Sequence, residues 1–168
     1  MGAVIASTCA KCGREHDAGT QACAGREARA PLRYYAEYGR RYAARDLDAF
    51  MELFAPGWEM IDHRAGMSPE PIGVSTCRAW TASVFAVSPD VRFAIDDVLA
   101  CDERVVAMRA SYHGQGQGPG GHGEFAFLSG FVTVVEHGHS VHVDQYEYDD
   151  DAAMLARYSE LTRGRLSS

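Results

Sequence analysis

The 168-residue chain has no apolar run approaching the ~18 residues a membrane span requires. It has no basic excess either: 16 Lys and Arg stand against 23 Asp and Glu, a formal net charge of −7. The first absence argues against a membrane partner. The second argues against a nucleic acid, whose phosphates select a basic surface. Residues 1–8 lack the basic start and long apolar stretch of a secretory leader, so the expected compartment is the cytoplasm. The five cysteines are odd in number: Cys9, Cys12, Cys23, Cys77 and Cys101. With no leader, that count argues against a disulfide framework. Large apolar residues are scarce before Pro31, so residues 1–31 cannot build a core and read as an arm. Residues 32–168 form the domain proper.

The domain has the material for one core, with 46% hydrophobic residues. Its charge is uneven. Residues 1–45 carry a balance of +4 and the remainder −11, which reads as a basic helix face beside an acidic body or as a self-association surface. Tyr34, Tyr38 and Tyr42 recur every fourth residue and stack on one helix face. Asp46 is placed to cap a second helix with Phe50, Met51 and Phe54 as its apolar stripe, stopped by Pro56-Gly57. A short strand follows over 58–63. A third helix is expected over 74–87, with Cys77, Trp80, Val84 and Val87 on its apolar stripe. Four strand-like runs then cover 91–100, 104–113, 124–135 and 140–148. A last helix spans about 150–163, with acids at its positive end and Arg157 and Arg163 toward its negative end. Early helices and late hairpin-linked strands predict an α+β fold: a curved, mostly antiparallel sheet wrapped over three N-terminal helices, with a C-terminal helix. A pocket is expected between sheet and helices.

Asp46-Leu47-Asp48 leading into Leu53-Phe54-Ala55, and the closing Tyr146-Glu147-Tyr148-Asp149-Asp150 before Leu155-Ala156-Arg157-Tyr158, resemble the SnoaL-like branch of the nuclear-transport-factor-2-like superfamily over residues 32–165. The resemblance implies a cone-shaped fold, a dimer through the sheet, and a small-molecule substrate handled without a cofactor. It does not select a reaction, because isomerases, dehydratases, epoxide hydrolases, polyketide cyclases and binders share the fold. Against ketosteroid isomerase, the tyrosine donor falls on Tyr38 and the base on Asp62, while Phe127 stands near the place of the protonated aspartic acid. Against scytalone dehydratase, pocket tyrosines fall on Tyr42 and His63, and a catalytic histidine at or beside His113; Phe93 and Ala43 replace two further groups. Against limonene epoxide hydrolase, the arginine falls on Arg109 and one aspartate on Asp144, with Ser111 in place of the other.

Strand alternation places His142, Asp144, Tyr146 and Tyr148 on one face of the last strand, and Arg109, Ser111 and His113 on one face of the middle strand. These sets are expected to line the cup, with Arg109 and Asp144 either anchoring a substrate oxygen or forming a structural ion pair. Asp62 is the candidate base, its pKa raised by an apolar cup. His63 or His113 would relay the proton. Tyr38 and Tyr42 would hold a carbonyl or enolate oxygen. Trp58, Trp80 and Phe127 would supply apolar wall, joined by His142 and Tyr146. The stretch 114–123 is glycine-rich but lacks the Gly-Lys-Ser/Thr ending of a phosphate loop, and reads as a flexible hairpin tip. Cys9-x2-Cys12 and Cys23 resemble a zinc ribbon whose fourth ligand is missing, since Arg26 stands at that position. These three cysteines are the candidate zinc ligands; His16 is an awkward fourth. The expected function is cofactor-independent acid–base chemistry (dehydration, isomerisation or cyclisation) on a small hydrophobic oxygenated molecule such as a polyketide. The alternatives are a non-catalytic small-molecule-binding module or an epoxide hydrolase.

Overall fold

The computed structural model describes residues 6–8, 15–17, 29–118 and 121–163. The cysteines of the expected zinc segment, Cys9, Cys12 and Cys23, lie outside them. Strands β1 (Ala6–Thr8) and β2 (Glu15–Asp17) pair antiparallel. Helix α1 (Ala30–Ala44) begins with Pro31 in its first turn, where a missing N–H costs nothing. It ends at Arg45, which adopts the left-handed conformation with φ 61°. The Arg45 guanidinium then reaches the backbone oxygens of Phe85 and Ser88 and lies 4.8 Å above the Phe85 ring. One side chain thus ties the end of α1 to the segment around Phe85 and Ser88.

Helix α2 (Leu47–Met51) is capped by Asp46, whose carboxylate accepts from the Ala49 N–H at 3.0 Å. It is shorter than the apolar stripe predicts, because Phe54 belongs to strand β3 (Phe54–Asp62). Pro56 and Gly57 do not stop a helix. They occupy the stretch between Phe54 and Glu59 where the register of β3 shifts, the place where a residue without an N–H is tolerated. Strand β4 (Ile72–Gly73) leads into α3 (Val74–Val87), whose bounds match the expectation. Its buried residues are Thr81 and Phe85, while Trp80 and Val87 are about half exposed.

Strands β5 (Arg92–Cys101), β6 (Val105–Gly118), β7 (Gly121–Glu136) and β8 (His139–Tyr146) form a meander, followed by α4 (Asp151–Arg163). Among the described residues the main sheet runs β4-β3-β8-β7-β6-β5, antiparallel except for the parallel β3–β8 pair. The glycine-rich stretch is largely strand: pairing of β6 with β7 continues to Gly118 opposite Gly121.

The sheet is covered on both faces. Its inner face packs on α1, α2 and α3 around Tyr34, Tyr35, Phe50 and Met108. Its outer face packs on α4 through Val105, Ala107, Val132 and Met154. Gly130 permits that second contact, since a Cβ there would meet the Met154 sulfur and come within 3.0 Å of the Glu147 carbonyl oxygen. No helix among the described residues is long and apolar enough to cross a membrane.

Met154 is fully buried between α4 and the sheet. Met154→Ala is expected to cost roughly 2–5 kcal/mol of stability, read as a lower urea midpoint, because rigid strands beneath it cannot close the cavity left behind.

Candidate functional site: an aromatic cavity under the sheet

The inner face and the helices enclose a cavity of about 280 Å³. Helix α1 contributes its tyrosine row, Tyr34, Tyr35, Tyr38 and Tyr42. Strand β3 and the residues after it contribute Phe54, Trp58, Met60 and Arg64, and α3 contributes Cys77 and Trp80. The sheet floor adds Tyr112, Phe125, Phe127, Phe131 and Gln145. Tyr35, Tyr38, Phe93 and Tyr112 pack mutually at ring spacings of 4.8–5.6 Å. Such a wall favours a flat, largely apolar molecule.

Its polar groups are few and fixed. The Tyr38 and Tyr112 hydroxyls lie 2.8 Å apart. Burial pushes both phenols well above the ordinary tyrosine range; Tyr112 adds to the rise at Tyr38, whereas at Tyr112 the neighbouring Tyr42 adds to it and the hydrogen bond from Tyr38 only partly offsets it. The pair therefore stays neutral at physiological pH. One hydroxyl donates to the other, which leaves one phenol hydrogen for a ligand oxygen. Tyr35 is committed to Thr133 at 2.7 Å, and the Trp58 indole N–H to Ser140 at 3.0 Å. Burial also raises the Cys77 thiol, to about 11, so it is not a thiolate nucleophile.

At the end of β3, Asp62 is 4% exposed. Its carboxylate accepts from the Arg64 Nε at 2.9 Å, Nη2 at 2.7 Å and backbone N–H at 3.1 Å. Burial raises this carboxyl, but the Arg64 bonds outweigh it and hold it below the usual carboxylate range. The expected upward shift of Asp62 is thus reversed, because the apolar cup also supplies a guanidinium. Arg64 in turn lies 5.1 Å above the Phe127 ring.

A second polar cluster sits on the outer face, next to α4. Asp144, 1% exposed, accepts from His63 Nε2 at 2.7 Å, His142 Nε2 at 2.9 Å and Arg157 Nε at 2.7 Å. Burial raises its carboxyl and these three partners more than offset that, setting it far below the ordinary range. Glu59 faces His142 at 3.4 Å and Glu160 faces Arg157 at 3.1 Å.

Residues 32–143 match the SnoaL-like domain family. The chain belongs to that family. Solved structures share the fold at low identity. A putative SnoaL-like polyketide cyclase from Jannaschia sp. CCS1 is 18% identical over 76% of this chain and 90% of its own, with a TM-score of 0.54. PrhC from Penicillium brasilianum is 14% identical over 80% and 91%, with a TM-score of 0.61. The epoxide hydrolase/cyclase-like enzyme SalBIII, of pyran ring formation in the polyether salinomycin, is 17% identical over 71% and 91%, with a TM-score of 0.55. No curated protein matches the chain.

In this SnoaL-like protein the sequence-predicted residues fall into two groups. Tyr38, Tyr42, Trp58, Trp80 and Phe127 line the cavity, and Asp62 stands at its edge through Arg64. His63, Arg109, His113, His142, Asp144 and Tyr146 belong to the opposite face. His63 stacks on Tyr146 at 4.7 Å, and His113 bonds Ser111 at 2.8 Å. Arg109 and Asp144 do not pair. Arg109 binds Asp151 at 2.8 Å, while Asp144 binds Arg157. Alternation groups these residues correctly but does not say which face meets α1. The helix packed on that face is α4, whose Asp151 binds Arg109 and whose Arg157 binds Asp144.

Tyr112, Gln145 and Arg64 are polar cavity residues absent from the sequence-predicted set. Two of them alternate with the polar set they adjoin, Tyr112 between Ser111 and His113, and Gln145 between Asp144 and Tyr146. The aromatic run Phe125, Phe127, Phe131 at even spacing on the next strand marks the same inner face.

Asp144→Asn is expected to lower stability by about 1.5–3 kcal/mol at pH 7, since it removes charge-assisted hydrogen bonds at a buried site. A folded-state pKa below the unfolded value gives stability that is present above the ordinary carboxylate range and lost as pH falls through the folded value. The gap between wild type and variant in urea midpoint should therefore be full at pH 7 and narrow below about pH 4.

Proposed function

We propose that this SnoaL-like protein is a cofactor-independent acid–base enzyme that isomerises, cyclises or dehydrates a small, largely apolar, oxygenated substrate of polyketide type. The observation that carries this reading is the neutral Tyr38–Tyr112 hydroxyl pair at the heart of an otherwise aromatic cavity. A carbonyl oxygen seated there accepts the free phenol hydrogen. That bond strengthens as negative charge develops on the oxygen during enolisation, which is where it lowers the barrier. Water is sparse among such walls, so the bond acts at low dielectric. Asp62 is ionised at neutral pH and serves as the base when Arg64 turns part of its guanidinium to the substrate.

One observation favours a second reading, a non-catalytic binding module. Arg64 occupies both carboxylate oxygens of Asp62, which lowers its basicity.

The two readings separate when purified protein is incubated with a small-molecule extract of its host and followed by mass spectrometry. Catalysis predicts a compound consumed and another formed, of the same mass or one water lighter. The Tyr38→Phe/Tyr112→Phe variant should slow that conversion about a hundredfold, the order expected for losing an oxyanion donor. A compound retained by the wild type but recovered unchanged supports the binding module and overturns the enzyme.

A further inference from the structure

The geometry points to Gln145 and Arg64 as a matched acceptor–donor pair that selects substrates presenting an adjacent hydrogen-bond donor and acceptor: the enol form of a β-dicarbonyl, a neutral carboxylic acid or a primary amide. This deepens the reading above and rests on it for the cavity being the substrate site.

Ser129 Oγ donates its only hydrogen to the Tyr146 carbonyl oxygen at 3.0 Å. Ser129 can therefore only accept from Gln145, whose Nε2 lies 2.8 Å away. This fixes the orientation of the Gln145 amide, with nitrogen toward Ser129. Gln145 is 4% exposed, so the amide has little freedom to turn over. Its Oε1 has no hydrogen-bond partner among the described residues, and Gln145 lines the cavity. The result is an acceptor held rigidly at the cavity wall.

Arg64 supplies the donor. Its Nε and Nη2 are spent on Asp62, and Nη1 has no hydrogen-bond partner among the described residues. Asp62 is the register partner of Gln145 across the parallel β3–β8 pair, so the backbone of the residue that anchors the guanidinium lies one strand spacing, about 5 Å, from that of Gln145, with both side chains on the same face. The His63 N–H to Gln145 carbonyl bond of 2.8 Å locks that register. Arg64, held by Asp62, and Gln145 both line the cavity, so donor and acceptor face the same space. Their net charge is neutral, because Asp62 balances Arg64, and Glu147 beside Ala65 adds a further negative charge nearby. That balance disfavours an anion and favours a neutral group offering one hydrogen and one lone pair. An enol has both, and a β-dicarbonyl that donates to Oε1 and accepts from Nη1 is held in its enol form.

The test uses the two tryptophans of the chain, Trp58 and Trp80, both of which line the cavity. Quenching of their fluorescence reports entry of a naphthalene probe. Naphthamide presents a donor beside an acceptor; the matching acetonaphthone keeps the acceptor and lacks the donor. The wild type should bind naphthamide roughly tenfold tighter than acetonaphthone. Gln145→Met should abolish that preference while leaving acetonaphthone affinity within about twofold, and acetonaphthone binding doubles as proof that the variant is folded. If Gln145→Met does not fold, Ser129→Ala, which frees the amide to turn, should cut the preference instead. Equal affinity of the two probes for the wild type, or a preference that survives both variants, overturns the Gln145 assignment and leaves the proposed function standing. Failure of both probes to quench the wild type overturns both.

Discussion

The central strands must satisfy two interiors at once. Strands β6, β7 and β8 meet α1, α2 and α3 on one side and α4 on the other, so neither set of alternating side chains can simply be left to water. This constraint sorts the residues of the whole molecule. The inner set, Tyr112, Phe127, Phe131 and Gln145, builds the cavity. The outer set, Arg109, Ser111 and Asp144, has to find polar partners under and around a helix. It does so through Asp151 and Arg157 of α4 and through Asp96 of β5. A buried carboxylate such as Asp144 is tolerable only because three donors converge on it.

The same division explains why the inner site is chemically spare. Its tyrosines are kept neutral by burial, its thiol is kept protonated, and its nearest carboxylate is held by an arginine. What remains uncommitted is a small number of directional atoms set in an aromatic wall. Such a site discriminates by shape and by hydrogen-bond pattern more than by charge, which suits neutral oxygenated ligands.

Much of this was legible in the chain. The Tyr34, Tyr38, Tyr42 spacing locates α1, and the residues over 74–87 give α3 to the residue, because helical periodicity is a local property. The strands of the meander fall within a few residues of expectation except at the glycine-rich tip, where a sequence poor in side chains still pairs because its backbone can. The SnoaL-like resemblance also fits the family match. The facing of the strands was not legible. Alternation fixes which residues share a side, but the choice between sides depends on where α1 and α4 dock, and that is a long-range property. Hence Tyr38 and Trp58 meet the cavity and Asp62 stands at its edge, whereas His63, one residue on from Asp62, stacks on Tyr146 across the sheet. The shortness of α2 has a related cause. Phe54 fits a helical stripe, yet its ring is claimed by Phe50 and Trp58 on the inner face of β3.

The parallel β3–β8 pair carries a consequence for assembly. His63 and Asp144 are 81 positions apart, and the register between Asp62 and Gln145 closes a loop of similar length. The hairpins of β5, β6, β7 and β8 can form from neighbours, whereas β3 must wait for β8 to exist before it has an edge to join. The wall that carries Arg64 and Gln145 is therefore among the last parts of the protein to come together. During synthesis the tyrosine row of α1 emerges long before the strands that will roof it, and the nascent chain must carry those rings unshielded until its final quarter has been made.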